Sequence, residues 1–254
     1  MRLFLYLTLF AAALASPAAA AERRCVGTNT TIVADSEYDT FLACAGAADA
    51  VAFLSQQGLT VDTVMRIDVL DTVLTQAAEN PSFRVLGQFD ARQNLILVTS
   101  TKGQLEMAAE KPIFGVPYEE ALFRSVVAHE VAHAIAEDNF QVDEPTRLAH
   151  EYIAYIVQLA TMPLPLRQRI LDHHQVQAFA TELEINPIVY GLNPDVFAVK
   201  AYRHFLSSGV GVTFLQTLLN RDLISMFPLW EDYAARDPLV GNQTANSNIL
   251  NGRR

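Results

Sequence analysis

The chain is poor in basic residues, in cysteine and, beyond its first twenty residues, in long apolar runs. Lysine and arginine number 18 against 28 acidic residues, so the formal net charge is −10. Because nucleic-acid binders normally carry a basic surface, this balance argues against that class. No later stretch is apolar enough to span a bilayer, so we expect no stable membrane span after removal of the start. With 51% hydrophobic and 18% charged residues in 254 positions, the composition favours a folded chain with a sizeable core.

The longest apolar run stands at the start of the chain. Arg2 precedes an apolar stretch, residues 3–15, and small residues with an alanine run follow. This order is typical of a secretory signal peptide, with cleavage after Ala20 or the alanine that follows it. An uncleaved anchor is the alternative, which the short apolar stretch disfavours. We therefore predict a signal peptide over residues 1–21 and a periplasmic or secreted mature protein.

The two cysteines, Cys25 and Cys44, both stand near the predicted mature N-terminus. In an oxidising compartment, two cysteines in one short segment are expected to pair, and the alternative is two free buried thiols. A disulfide across so short a loop contributes about 3 kcal/mol by chain entropy. A zinc site built from them is disfavoured, because no CxxC or Cys/His spacing accompanies them.

The two halves of the mature chain differ in their hydrophobic pattern. Before Pro117, β-branched and alternating segments predict strands over residues 30–34 and 64–70 and a hairpin over 85–89 and 95–98. After Pro117, apolar residues recur at helical spacing, so the pattern predicts an α+β fold. The predicted helices cover residues 36–57, 118–137, 144–162, 166–183, 195–207 and 212–220.

This change of pattern also predicts the organisation of the chain. An N-terminal α/β lobe covers residues 22–117 and a mainly helical lobe covers residues 118–238. The signal peptide precedes both lobes. Residues 239–254 are rich in asparagine, glycine, serine and arginine and predict a flexible tail.

The strongest chemical signal is the segment His129-Glu130-Val131-Ala132-His133 in the predicted helix 118–137. Residues four apart lie on one face of a helix, so the two imidazoles can bind one metal ion. Glu130 lies about 100° round the helix, where its carboxylate can take a proton from metal-bound water. This is the H-E-x-x-H pattern of zinc metallopeptidases. The alternative is a pair of core histidines bonded to the backbone.

A catalytic zinc normally has three protein ligands and one water, so a third ligand is expected downstream. Glu144 stands beside a proline at a predicted helix start, where capping explains a carboxylate. His150 and Glu151 lie in an otherwise apolar predicted helix and need another explanation. Because their side chains point about 100° apart, only one is expected to bind the same metal. The downstream candidates are Glu137, Asp138, Asp143, Glu144, His150 and Glu151.

This arrangement resembles the gluzincin branch of the zincin metallopeptidases, in which a glutamate on the next helix completes an HExxH site. The resemblance implies that His129, His133 and Glu151 bind Zn²⁺ and that Glu130 is the catalytic general base, with His150 as the alternative third ligand. It also implies a zincin-like fold, in which a small twisted sheet lobe lies over the active-site helix and a mainly helical lobe follows. The chain is similar, too, to small secreted bacterial proteins of unknown function with HEVAH followed by HEYIAY.

The resemblance also implies a substrate strand. In gluzincins the edge strand of the sheet binds the substrate backbone, and Leu95–Thr99 is our candidate for that strand. Many gluzincins orient the first histidine with an aspartate four residues after the third ligand, but this chain has Tyr155 there. Another group must therefore orient His129. An oxyanion donor is expected from the helical lobe, with four candidates: Tyr155, Tyr190, Tyr202 and His204.

These observations favour an exported zinc-dependent metallopeptidase-like hydrolase that acts on a peptide or protein substrate. In that function Glu130 assists the attack of zinc-bound water on a peptide bond. The main alternative is a non-catalytic zincin-fold protein that serves as a binding module or envelope scaffold. A chance HExxH in an unrelated exported helical protein is the third interpretation.

Overall fold

The computed structural model describes residues 21–75, 83–143, 145–207 and 211–221. The predicted signal peptide, apart from Ala21, lies outside these ranges. The predicted tail 239–254 and the candidate ligand Glu144 lie outside them as well.

The described residues form seven strands and eight α-helices. The strands are β1 (Ala21–Arg24), β2 (Thr30–Ala34), β3 (Met65–Leu70), β4 (Val73–Leu74), β5 (Arg84–Val85), β6 (Gly87–Asp90) and β7 (Leu95–Thr99). The helices are α1 (Glu37–Gln56), α2 (Thr101–Glu110), α3 (Glu120–Asn139), α4 (Arg147–Thr161), α5 (Leu164–His173), α6 (Pro187–Leu192), α7 (Pro194–Phe205) and α8 (Gly211–Asn220). The α+β class is therefore confirmed, and the predicted division into two lobes at residue 117 stays a prediction.

A five-stranded mixed sheet has the order β1-β2-β3-β7-β6. The three inner strands β2, β3 and β7 run parallel, whereas β1 and β6 pair antiparallel with their neighbours. Ile32, Ile67 and Ile96 lie side by side across the three inner strands, and all three are fully buried. The alternating pattern of the sequence thus places one face of each inner strand in the core.

Helix α1 connects β2 to β3 and is joined covalently to the strand region. Its first turn is capped by Ser36, whose side chain accepts a hydrogen bond from the backbone N–H of Asp39 at 3.2 Å. Cys25, directly after β1, forms a disulfide with Cys44 in α1, and their Cα atoms are 5.3 Å apart. The predicted pairing is confirmed.

Helix α3 lies at the centre of the fold. It packs against α1 and α4 on its helical sides and against β6 and β7 of the sheet. Thirteen of its residues are buried, including the neighbours of both histidines. The sequence around the HExxH segment is apolar nearly all round the helix because every side of the helix has a packing partner.

The predicted helix over residues 166–183 is wrong at its C-terminal end. Helix α5 stops at His173, and Ile170 is its last buried residue. His174 Nε2 lies 3.0 Å from the backbone oxygen of Phe114 and takes its partner from outside the helix. Residues 172–175 are all polar, so the apolar stripe is interrupted after Leu171 and the helix loses the packing that would continue it.

Helix α2 is the longest element that the sequence analysis did not predict. Ser100 caps it and accepts a hydrogen bond from the N–H of Gly103 at 3.2 Å. Only Gly103, Gln104 and Ala108 of this helix are buried, so its sequence lacks a clear apolar stripe.

Within the described ranges, none of the helices has both the length and the apolar character needed to cross a bilayer.

Candidate metal centre

Three side chains that the sequence analysis selected converge between α3 and α4. His129 and His133 lie one turn apart on α3, and their Nε2 atoms are 3.1 Å apart. Glu151 reaches them from α4, and its Oε2 lies 3.6 Å from Nε2 of His129. Each residue offers one donor atom, and the three atoms lie within 4.8 Å of one another. The structure therefore brings together the ligand set that the resemblance implied.

Two of the three separations are close to those expected around one metal ion. Zinc bonds of 2.0–2.1 Å at tetrahedral angles place neighbouring ligand atoms about 3.3 Å apart. The 3.1 Å and 3.6 Å separations lie on either side of that value. Two imidazole nitrogens and one carboxylate oxygen also leave a fourth position open, as in catalytic rather than structural zinc sites.

Glu151 is held on the side away from the histidines. The Tyr190 hydroxyl donates a hydrogen bond to Oε1 of Glu151 at 2.9 Å. Arg147, one turn earlier on α4, lies 3.5 Å from the same oxygen and also donates to the Tyr190 hydroxyl at 3.1 Å. With Oε1 occupied, Oε2 is the oxygen that faces His129.

His129 has a partner that the sequence analysis did not name. Its Nδ1 lies 3.0 Å from Oε1 of Gln158, which is buried on α4 two turns beyond Glu151. The Gln158 amide in turn lies 3.4 Å from the hydroxyl oxygen of Ser125. Gln158 thus occupies the orienting position that the sequence left vacant at Tyr155. A lone glutamine in an apolar helix, spaced to share the face of Glu151, is the signal that could have identified it.

The other described candidates for the third ligand have different partners or are exposed. His150, the alternative, has its Nε2 3.2 Å from Oε2 of Glu137, so these two pair with each other. Asp138 accepts a hydrogen bond from Thr63 at 2.6 Å, and Asp143 is exposed. Among the described residues, Glu151 alone of the downstream candidates joins the two histidines.

Burial dominates the electrostatics of the cluster. It lowers the pKa of His129, although the charge of Glu151 opposes this shift. Burial and then the neighbouring His129 and His150 hold the pKa of His133 well below its ordinary value. Both imidazoles are therefore neutral near neutral pH, which is the form that binds metal.

Glu130 follows His129 on α3, lines the same cleft as the three donor residues and lies against Gly87 of β6. Burial, followed by the charge of Glu151, raises the pKa of its carboxyl well above the ordinary value. A carboxyl shifted in this direction can exchange protons nearer to neutral pH than an exposed glutamate.

The edge strand next to Glu130 is β6, so the prediction that Leu95–Thr99 is the edge strand is wrong. Leu95–Thr99 forms β7, which is hydrogen-bonded to β3 on one side and β6 on the other, so its edges are occupied. Gly87 in β6 lies so close to Glu130 that an added Cβ would stand 2.6 Å from Oε1 of that side chain. The correction arises because the parallel pairing of β3 with β7 joins segments distant in sequence, which the local pattern of a hairpin does not reveal.

The cluster lies in a cleft of about 930 Å³ between β6 and the helices. Residues 84–89 line one side, and Tyr155 and Tyr190 line the other. The remaining oxyanion candidates lie outside the cleft: His204 is bonded to Tyr152, and Tyr202 packs in a second core cluster. Of the four candidates, only Tyr155 and Tyr190 line this cleft.

No curated protein and no solved structure matches the chain. The model of one family, described as a family of unknown function (DUF6639), matches residues 30–226. Because this match spans well over half of the chain, the protein belongs to that family.

Proposed function

We propose that the protein is an exported zinc-dependent metallopeptidase of the gluzincin type. The observation that carries this proposal is the convergence of His129, His133 and Glu151, with Glu130 beside them, in a cleft bordered by a strand edge. A structural zinc site needs no cleft and no buried general base. This chain has a cleft and a buried glutamate, Glu130, next to the three donor atoms, which supports a catalytic site.

The chemistry of the donor set supports zinc as the metal. Two neutral imidazoles and a carboxylate match zinc in ligand type and number. His129, His133 and Glu151 would hold the ion, and Tyr190 and Gln158 would orient two of these ligands. A zinc ion bound there would act as a Lewis acid and lower the pKa of a water molecule.

Glu130 is the residue that moves protons in this proposal. Its carboxylate accepts a proton from the attacking water and afterwards donates it to the nitrogen of the leaving amine. Glu130 is 6% exposed, so little bulk water competes for that proton. The close approach of Gly87 confines the side chain to its place beside the cleft.

The outer edge of β6 is the proposed binding site for the substrate backbone. In the described part of the sheet β6 is the last strand, so the backbone groups on its outer edge have no strand partner. An extended peptide can add to such an edge through main-chain hydrogen bonds. A peptide on β6 would pass over Glu130, since Gly87 is in contact with that residue.

The Cys25–Cys44 disulfide supports export of the protein. Disulfides persist in the periplasm and outside the cell, and they are rare in the reducing cytosol. A periplasmic or secreted location therefore belongs to the proposal, together with the predicted signal peptide.

A peptide-library digest tests the catalytic part of the proposal. The mature wild-type chain with zinc should cleave members of the library, and Glu130→Gln should reduce cleavage at least about 100-fold while it keeps the metal. Glu120→Gln, an exposed glutamate in the first turn of the same helix, is the matched control and should cleave like wild type.

Zinc content is measured on the same samples. If zinc is bound and the wild-type and Glu130→Gln digests are indistinguishable, the non-catalytic alternative replaces the peptidase. If zinc is absent from the wild-type chain, the metal centre itself is wrong.

A further inference from the structure

Ser125, Gln158 and His129 form a buried chain of hydrogen bonds that runs from α3 to α4 and back to α3. Ser125 and Gln158 are only 2% and 4% exposed, so water does not satisfy their polar atoms. Ser125 lies one turn before His129 on α3, and Gln158 reaches both from α4. Each group in such a chain restricts what the next can donate or accept.

The direction of the chain is set at Ser125. Its hydroxyl donates to the backbone oxygen of Leu122 at 2.8 Å, so its only proton is used there. The Ser125 oxygen can therefore only accept from Gln158, and the amide group must turn its Nε2 towards it.

The orientation of the amide then decides the state of His129. With Nε2 towards Ser125, Oε1 of Gln158 faces Nδ1 of His129 at 3.0 Å. An amide oxygen only accepts, so Nδ1 must carry the proton. The lone pair of the neutral imidazole is consequently on Nε2, the atom that faces His133 and Glu151.

We propose that Ser125 and Gln158 are positioning residues that fix the tautomer of His129 for metal binding without adding a charge. The usual orienting partners of a metal-binding histidine include a carboxylate. A neutral amide oxygen orients the imidazole in the same way. Glu151 is then the only formally charged group among the three ligands and the two positioning residues. The inference rests on the metal centre of the proposed function and does not require peptidase activity.

Zinc affinity, measured by competition with a chromophoric chelator, tests the role of Gln158. Gln158→Met keeps the volume and removes the acceptor, and it should weaken zinc binding about 10- to 100-fold. Gln158→Glu restores an acceptor and should stay within a few-fold of wild type. Gln168→Met, at an exposed glutamine of α5, is the matched control and should bind zinc like wild type.

The tautomer itself is a second, independent readout. In the metal-free wild-type protein, a long-range ¹H–¹⁵N spectrum should show the His129 proton on Nδ1, with the signal assigned by comparison with His129→Gln. Ser125→Ala frees the amide to turn over and should populate the other tautomer. This readout remains informative if a Gln158 variant fails to fold.

Wild-type zinc affinity in a folded Gln158→Met variant overturns the proposal. So does a His129 proton found on Nε2 in the wild-type protein, and so does a wild-type chain that binds no zinc. A chain that binds zinc in the expected order of affinities but cleaves no peptide contradicts only the peptidase proposal.

Discussion

Helix α4 carries two buried polar clusters on different faces, and each contains a histidine from another helix. On one face, Glu151 and Gln158 meet the two histidines of α3. On the other, the hydroxyl of Tyr152 lies 2.6 Å from Nδ1 of His204 on α7. Burial lowers the pKa of the histidines in both clusters.

The two clusters differ in how their polar atoms are satisfied. Tyr152 and His204 form a closed pair, and the rings of Phe179 and Phe214 pack around His204. In the candidate metal cluster two imidazole nitrogens and one carboxylate oxygen lie within 4.8 Å of one another. A histidine that makes a closed pair stabilises the core, whereas donor atoms that converge from two helices can hold a cation.

The largest expected difference between the two clusters is the loss of zinc affinity when a histidine is removed from each. His133→Ala deletes one of the three donor atoms and should weaken zinc binding at least about 1000-fold, because two ligands rarely hold zinc. His204→Ala removes the histidine of the other cluster and should leave zinc affinity within a few-fold of wild type. Chelator competition measures both, and equal losses would contradict the distinction between the clusters.

A change at Gly87 should reduce peptide cleavage without altering the metal ligands. Gly87→Ala places a methyl group in contact with Glu130 and should reduce peptide cleavage at least about 10-fold while zinc stays bound. Gly191→Ala is the matched control, because a Cβ there meets no atom within 4 Å. Full cleavage by the Gly87 variant would show that the position of Glu130 does not matter.

Removal of one tyrosine hydroxyl should lower the stability of the protein in one cluster and its zinc affinity in the other. Tyr152→Phe leaves His204 without its partner, and we expect a loss of about 1–3 kcal/mol in the free energy of unfolding with unchanged zinc affinity. Tyr190→Phe frees Oε1 of Glu151 and should lower zinc affinity about 10-fold with little loss of stability. Urea unfolding measures the stability of both variants, and chelator competition measures their zinc affinity. A loss of zinc affinity in Tyr152→Phe and a loss of stability in Tyr190→Phe would contradict the roles given to the two clusters.

The smallest expected effect is on the pH dependence of stability in the metal-free protein. A histidine with a lowered pKa in the folded state takes up a proton on unfolding, so stability falls as the pH drops through the ordinary value of about 6.5. The pKa of His133 lies well below its ordinary value, because two neighbouring histidines add to the effect of burial, whereas burial lowers the pKa of His204 against the opposing charge of Glu184. His133→Gln should therefore flatten the curve between pH 7 and 5.5 more than His204→Gln does.

Urea unfolding of both variants at several pH values measures this difference. The raised pKa of Glu130 acts with the opposite sign, because stability associated with its protonated form is lost as the pH rises. The comparison between histidine variants is therefore made with Glu130 intact in both. A steeper curve in His133→Gln than in wild type would contradict the expected sign.

Local periodicity was enough to predict the main elements of the metal cluster. The helical spacing of His129 and His133 places them on one face wherever the helix packs. The same spacing could not distinguish His150 from Glu151, because the choice depends on how α4 is rotated against α3. That rotation is a tertiary feature, and the resemblance to gluzincins supplied the choice of Glu151.

Two parts of the site depend on contacts between residues that are distant in sequence. The resemblance to gluzincins places an orienting aspartate four residues after Glu151, where this chain has Tyr155. Gln158, one turn further along α4, contacts His129 in its place. The identity of the edge strand depends on the long-range pairing of β3 with β7. Both differences lie where residues distant in sequence meet, which is where single-sequence reasoning has least information.

The central claim is that His129, His133 and Glu151 together bind one zinc ion. The most direct test is the zinc content of the purified mature chain, measured side by side for wild type and Glu151→Gln after the same dialysis. The account predicts one zinc per wild-type chain and a large loss in the variant. Zinc retained in full by Glu151→Gln, or absent from the wild-type chain, would contradict it.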